Sequence, residues 1–259
     1  MKKLFYLDVN SNIQIIEKLD INSSSGNLRK WLAIDSADNA SYYVKSNSKI
    51  NNKYTGYEPE VECITSRLAN MLGLNSVIYY MDKLDIGSKA YKVCISADYS
   101  CGLERIPLAQ LAPDSAKLYG HDKYNYVMSK VPDYKQYIDQ ILLFDYIIGN
   151  IDRHLNNIEF LSDGVTLNPA PIYDNGASLF SNQSIKSINQ LWNTSLNFCK
   201  SKPFFNTHNE QIKLISDTSL SKLHIEEVYK LVNTYLNGER ARLVNKWLKI
   251  RLKECDLLW

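Results

Sequence analysis

Hydrophobic and polar positions alternate along the first hundred residues and then change period. Apolar runs at LFYLDV (4–9), IQIIEKL (13–19), WLAID (31–35) and SYYVKS (41–46) are short, and SYYVKS alternates with a period of two. Such runs predict strands, the last with one covered face. The cluster NSSSGN at 22–27 predicts a turn between two of them. From residue 58 the period lengthens. Val61, Ile64, Thr65, Leu68, Met71 and Leu72 fall at helical spacing, and Gly73 stands where a helix C-cap belongs. SVIYYMDKL and KAYKVCIS then return to strand, separated by the turn-like DIGS.

Beyond residue 100 the pattern is helical. Tyr134, Tyr137, Ile138, Ile141, Leu142, Asp145 and Ile148 lie on one stripe, with Asp133 as the expected N-cap and Gly149 as the terminator. IEFL (158–161) and PIY (171–173) read as short strands joined through the turn SDG. Two amphipathic helices close the chain. HIEEVYKLVNTYL (224–236) is expected to end at Gly238, and GERARLVNKWLKIRLKE to turn Leu243, Trp247 and Leu248 inward. The order predicts an α+β chain of two lobes, strand-rich over residues 1–98 and helical over 99–259, with the break near ADYSCG.

Composition narrows the function classes. The 259 residues are 45% hydrophobic and 11% aromatic, enough for a sizeable core. A net charge of +2 with dispersed lysines and arginines argues against a nucleic-acid binder, which would carry a basic stripe. The five cysteines are scattered without CxxC spacing, so neither a disulfide framework nor a zinc site is indicated. The opening apolar run is too short for a signal peptide, and ILLFDYII, broken by Asp145, is too short to span a bilayer. A soluble, cytoplasmic chain is expected, with no membrane partner.

The densest chemistry is GNIDRHLNN (149–157), followed by PAPIYDNGASL (169–179). Asn157 stands five residues after Asp152, and Asp174 comes later, after a short strand and before Asn175-Gly176. Alone, the first stretch reads equally well as a capped helix end. Together the two stretches have the layout of phosphoryl transfer, in which one carboxylate takes the proton of the attacking hydroxyl. An amide oxygen and a second carboxylate then hold Mg²⁺, a hard cation that selects oxygen ligands. Lys45, at the end of an alternating strand, suits a cation for nucleotide phosphates, and Glu62 or Glu60 can pair with it. The loop Ser23, Ser24, Ser25 and Gly26 offers backbone N–H groups that can lie over phosphates. His154 reads as a hydrogen-bonded brace or as a chemical participant. Arg153 reads as a partner for a phosphorylated loop residue or for a surface acid. Asp145 reads as a helix-surface residue or a buried brace.

YIIGNIDRHLNN with APIYDNGASL, preceded by YEPEVECITSRLANMLGL, resembles the HipA-like serine/threonine kinases over residues 22 to 180. The resemblance implies a protein-kinase-like two-lobed fold that uses ATP and Mg²⁺. It implies Asp152 as catalytic base with His154 beside it, Asn157 and Asp174 as metal ligands, Lys45 as the ATP-phosphate lysine and Glu62 as its helix partner. It further implies a protein substrate, autophosphorylation on Ser23, Ser24 or Ser25, and a toxin–antitoxin-type partner. The chain is expected to be a short form, without the additional N-terminal subdomain of full-length members. Two other readings compete: a kinase-fold enzyme acting on a small molecule or lipid, and a nucleotide-binding pseudokinase or partner-binding module.

Overall fold

A computed structural model describes residues 13–19, 30–35, 40–47, 49–50, 53–54, 56–86, 89–194, 199–215 and 218–259. The run LFYLDV, the serine loop at 23–26 and the end of DIGS lie outside the described residues. Strands β1 (Ile13–Leu19), β2 (Lys30–Asp35), β3 (Ser41–Ser46), the two-residue pair β4 (Lys49–Ile50) and β5 (Lys53–Tyr54), β6 (Tyr80–Ile86) and β7 (Lys89–Ala97) surround helix α1 (Glu58–Met71) in sequence. Five of them form one antiparallel sheet in the order β1-β2-β3-β7-β6.

The period-two pattern of β3 decides what each sheet face carries. Val44 lies opposite Trp31 and Ile95, and these pack with Ala33, Tyr91 and Val93 in one small core. Lys45 points the other way, in a row that runs Lys30, Lys45, Cys94, Met81 across four strands. That row faces α1, where Cys63, Val77, Tyr79, Met81 and Cys94 pack together.

The remaining chain is mainly helical: α2 (Leu108–Leu111), α3 (Gly120–Lys130), α4 (Lys135–Ile148), α5 (Ile185–Thr194), α6 (His208–Gln211), α7 (Ile225–Tyr235) and α8 (Gly238–Glu254). A three-stranded antiparallel sheet, β10-β9-β8, joins Leu167–Pro169, Glu159–Ser162 and Glu104–Pro107. The largest core runs from Val61, Ile64 and Leu68 of α1, through Ile141 and Phe144 of α4, to Trp247 and Leu248 of α8. Helix α1 therefore packs against the five-stranded sheet on one side and the helices on another. Among the described residues no helix is long and apolar enough to cross a membrane.

Several boundaries differ from the sequence reading. Pro132–Tyr134 is a 3-10 turn, so Asp133 sits inside it rather than capping α4. PIY is not a strand: Ile172 makes a single parallel bridge to Ser76, and the partner of β9 is the proline-ended Leu167–Pro169. The helix at 225–235 ends before Gly238, at extended Leu236, whose side chain is drawn into the core; Gly238, at φ 56°, begins α8. Helices α3 and α5 have no counterpart in the sequence reading. Gly149 does end α4, in the left-handed region at φ 63°. Its Cα faces Trp247, and an added Cβ would lie 2.7 Å from the indole Cζ2.

Replacing Gly149 with alanine combines left-handed strain with overpacking against a buried indole. The expected loss is about 2–4 kcal/mol, read as a lower urea midpoint at unchanged slope.

Candidate active site

Lys45 is nearly buried, at 8% exposure, and its ammonium gathers the strand-rich half and the loop after β10. Its Nζ donates to Glu62 Oε1 at 2.7 Å, to Asp174 Oδ1 at 2.7 Å and to the Tyr79 hydroxyl at 3.2 Å. Burial alone would lower the lysine's pKa, but Asp174 and Glu62 outweigh it and hold the value well above the ordinary one. Glu60 is engaged elsewhere, by Lys92 Nζ at 2.6 Å, so Glu62 is the glutamate that meets Lys45. The second oxygen of Glu62 accepts the backbone N–H of Asn175 at 3.0 Å. One α1 carboxylate thus holds both the lysine and the chain just after Asp174. Gly176 makes this approach possible, because a Cβ there would lie 3.2 Å from Glu62 Oε1.

Asp174 adopts φ 57°, a left-handed conformation that aspartate tolerates better than most residues. Its carboxylate meets Lys45, the Asn157 amide at 3.2 Å and Lys30 at 3.6 Å. Burial pushes this carboxyl up, yet the two lysines prevail and keep it well below the carboxylate range. Lys30, unmarked in the sequence reading, reaches the site because strand pairing sets it directly opposite Lys45.

The loop after α4 is built on a buried ion pair. Arg153 and Asp145 are both fully buried, with Arg153 Nε and Nη2 on the two carboxylate oxygens at 2.9 and 3.0 Å. The same guanidinium donates to the carbonyls of Tyr173 (2.8 Å) and Asn157 (3.3 Å) and to the side chain of Asn175. This settles the two readings of Asp145 as a buried brace. It corrects those of Arg153, whose partner is a core acid reached by folding rather than a phosphorylated loop or a surface acid. Burial raises the Asp145 carboxyl, opposed by the guanidinium and by the Asn150 amide at 3.0 Å.

Asp152 is half-exposed at the front of this loop. Its N–H donates to Asn150 Oδ1 at 3.0 Å, and its Oδ1 accepts from Lys202 Nζ at 2.8 Å. His154 is lowered by burial, against the pull of Asp152 and Asp174. Its Nδ1 is buried with no hydrogen-bond partner among the described residues, so no bond from that atom braces the loop; its carbonyl accepts the Asn157 N–H at 2.8 Å. His208 supports the loop from α6, with its Nε2 2.9 Å from the Asn150 carbonyl.

The geometry brings Lys45, Glu62, Asn157 and Asp174 into one bonded cluster and sets Asp152 on a loop clamped to it by Arg153. The serine loop Ser23–Gly26 lies outside the described residues. Lys30, Tyr79, Asn150, Lys202 and His208 were missed. Lys30 has a signal in strand pairing, whereas Lys202 and His208 have none in their neighbouring residues.

A lysine–glutamate pair beneath an antiparallel sheet, above an acid-bearing loop and a helical half, defines a protein-kinase-like α+β fold. No family model matches the chain, and no curated protein matches it. Among solved structures, the chain is similar to the Helicobacter pylori proinflammatory kinase CtkA, with TM-score 0.64 and 16% identity over 88% of each chain. A Shewanella oneidensis HipA–HipB toxin–antitoxin complex with operator DNA aligns at TM-score 0.47 and 15% identity, over 97% of this chain and 65% of that one. The first likeness bears out the kinase-like fold read from the sequence.

Two stability experiments follow. Replacing Arg153 with methionine leaves Asp145 buried and unpaired and should cost about 3–5 kcal/mol in urea unfolding. Adding Asp145→Leu should recover much of that loss, because the lone charge is then gone. Burial lowers His208 to about 4, so the unfolded state, near 6.5, takes up the proton first. Its contribution is complete above about pH 6.5 and is lost as pH falls toward 4. The loss near pH 5 should be about 2 kcal/mol, and His208→Gln should flatten that part of the stability–pH curve.

Proposed function

We propose that the chain is an ATP- and Mg²⁺-dependent phosphotransferase, a HipA-like serine/threonine protein kinase that acts on protein hydroxyls and on its own serine loop. The observation that carries this reading is the shared ammonium of Lys45, held at 2.7 Å from both Glu62 and Asp174. That arrangement joins the strand-rich half to the loop bearing the second acid. On this reading residues 1–98 bind nucleotide and residues 99–259 supply the base and the metal ligands, in a cytoplasmic enzyme.

The donor set fits the metal. The Asn157 side-chain oxygen and the Asp174 carboxylate are hard oxygen donors, and the two side chains lie together, with Asn157 Nδ2 donating to Asp174 Oδ2 at 3.2 Å. When bound there, Mg²⁺ offsets the charge of the nucleotide phosphates. Lys45 orients those phosphates, with Lys30 beside it, and Glu62 keeps Lys45 in place. Asp152 accepts the proton of the acceptor hydroxyl as its oxygen bonds to the γ-phosphorus and the bond to ADP breaks. Arg153 holds the loop so that Asp152 and Asn157 keep their spacing. His154 stands beside the base with its ring biased toward the neutral form.

Replacing Asp152 with alanine should lower phosphate transfer roughly 10²–10⁴-fold while nucleotide binding and melting temperature stay unchanged. The measure is phosphate incorporation from ATP, with mass spectrometry to locate the modified residue. Wild-type turnover in the variant would refute the assignment of the base. Nucleotide binding by the wild type without transfer would favour the binding-module reading, and transfer only to added small molecules or lipids the other.

A further inference from the structure

Lys202 is unusual among the described lysines because its ammonium rests on the candidate base. Its Nζ lies 2.8 Å from Asp152 Oδ1, and both side chains are about half exposed. A half-exposed pair of this kind contributes little to stability. The backbone that presents it is nonetheless held firmly. Gln211, itself buried, donates to the Lys202 carbonyl at 2.8 Å and accepts from the N–H groups of Phe204 and Phe205. Lys123 donates to the Pro203 carbonyl at 2.9 Å, Gly120 to that of Phe204 at 3.0 Å, and the Ser201 hydroxyl to that of Phe205 at 2.8 Å. His208, six residues on, grips the base loop at Asn150. The segment is thus fastened to the helical half and to the base loop, while the Lys202 side chain reaches out to Asp152.

The other cations of the site leave a role for it. Lys45 and Lys30 are engaged by Asp174, and Arg153 is consumed in the core by Asp145. With Oδ1 of Asp152 held by Lys202 and no partner for Oδ2 among the described residues, Oδ2 serves the acceptor hydroxyl, which must come within roughly 2.6–3.2 Å of the base. The phosphoryl group that this hydroxyl attacks then lies next to the ammonium, which has further N–H donors.

We propose that Lys202 is a catalytic residue of phosphoryl transfer: it orients Asp152 toward the acceptor hydroxyl and donates to the oxygens of the phosphoryl group in transit. The inference rests on the phosphotransferase reading above. In the step it serves, the hydroxyl oxygen bonds to the γ-phosphorus, the bond to the ADP oxygen breaks, and the hydroxyl proton passes to Asp152. Lys202 stabilises the charge spread over the transferring oxygens.

The experiment compares wild type, Lys202→Met, Lys202→Arg and the control Lys200→Met, a change at an exposed lysine two residues away. Each is measured for kcat, KM for ATP, binding of a fluorescent ATP analogue with Mg²⁺, and melting temperature. Lys202→Met should lower kcat about 10²-fold and leave nucleotide binding and melting temperature unchanged. Lys202→Arg should restore part of the rate, and Lys200→Met should match wild type. If the wild type transfers phosphate and Lys202→Met keeps its kcat, the proposal falls and the phosphotransferase reading stands. Loss of turnover together with nucleotide binding and melting temperature would make the residue structural and overturn the proposal. No transfer by the wild type would overturn both.

Discussion

A guanidinium with no exposure to water, that of Arg153, is the joint on which the site is assembled. An isolated charge at that depth is prohibitively costly, so every N–H of the fork that the core can satisfy draws a partner toward it. The partners are the α4 acid Asp145, the carbonyls of Asn157 and Tyr173, and the side chain of Asn175. They lie on three pieces of chain: Asp145 on the helix, Asn157 in the loop after it, and Tyr173 and Asn175 on either side of Asp174. Electrostatic satisfaction of one buried cation thereby sets the distance between the two polar stretches that sequence alone leaves seventeen residues apart.

Helix α1 supplies the second joint. It is buried along most of its length, and its Glu62 sends one oxygen to Lys45 and the other to the Asn175 N–H. Its N-terminal neighbour Tyr57 is tied by its N–H to the Ser181 carbonyl and lies under the Arg240 guanidinium, 3.9 Å from the ring centre. Arg240 in turn donates to the Phe180 carbonyl at 2.9 Å. The chain on both sides of Asp174 is therefore fixed, by Arg153 before it and by α1 and α8 after it. Within that frame Asp174 sustains a left-handed backbone that a free loop would relax.

Charge is balanced in two layers. In the core, Arg153 and Asp145 neutralise each other out of reach of solvent. Around the candidate acids, Lys45 and Lys30 face Asp174, and Lys202 faces Asp152, so each acid that the phosphotransferase reading employs comes with its own cation. Anions entering between them would find ammonium groups already positioned by strands and by a fastened loop. Such preorganisation is what electrostatic stabilisation of a transferring phosphoryl group requires.

Much of the architecture was legible locally, because period and turn chemistry act over a few residues. The alternation in SYYVKS placed Lys45 opposite Val44 on the sheet, and the helical spacing of Val61, Ile64 and Leu68 put Glu62 on a buried helix. Gly149 marked the end of α4 at its residue. The polar set Asp152, Asn157 and Asp174 was legible as chemistry because its residue types and spacing are unnecessary for a loop. Spacing alone left Glu60 and Glu62 both open, and the family resemblance pointed to Glu62, the one that faces Lys45 while Glu60 meets Lys92. The sequence could not show that Arg153 turns inward, since a guanidinium is buried only when distant partners satisfy it. Lys30 reaches the site through strand register, and Lys202 and His208 through long-range docking of which their neighbours in the chain carry no trace. Local periodicity and residue type were enough for the main strands and helices and for the chemical inventory, though not for α3, α5 or the partner of β9. Which charges meet was settled by folding, because pairing of buried charges depends on distance in space and on exclusion of water.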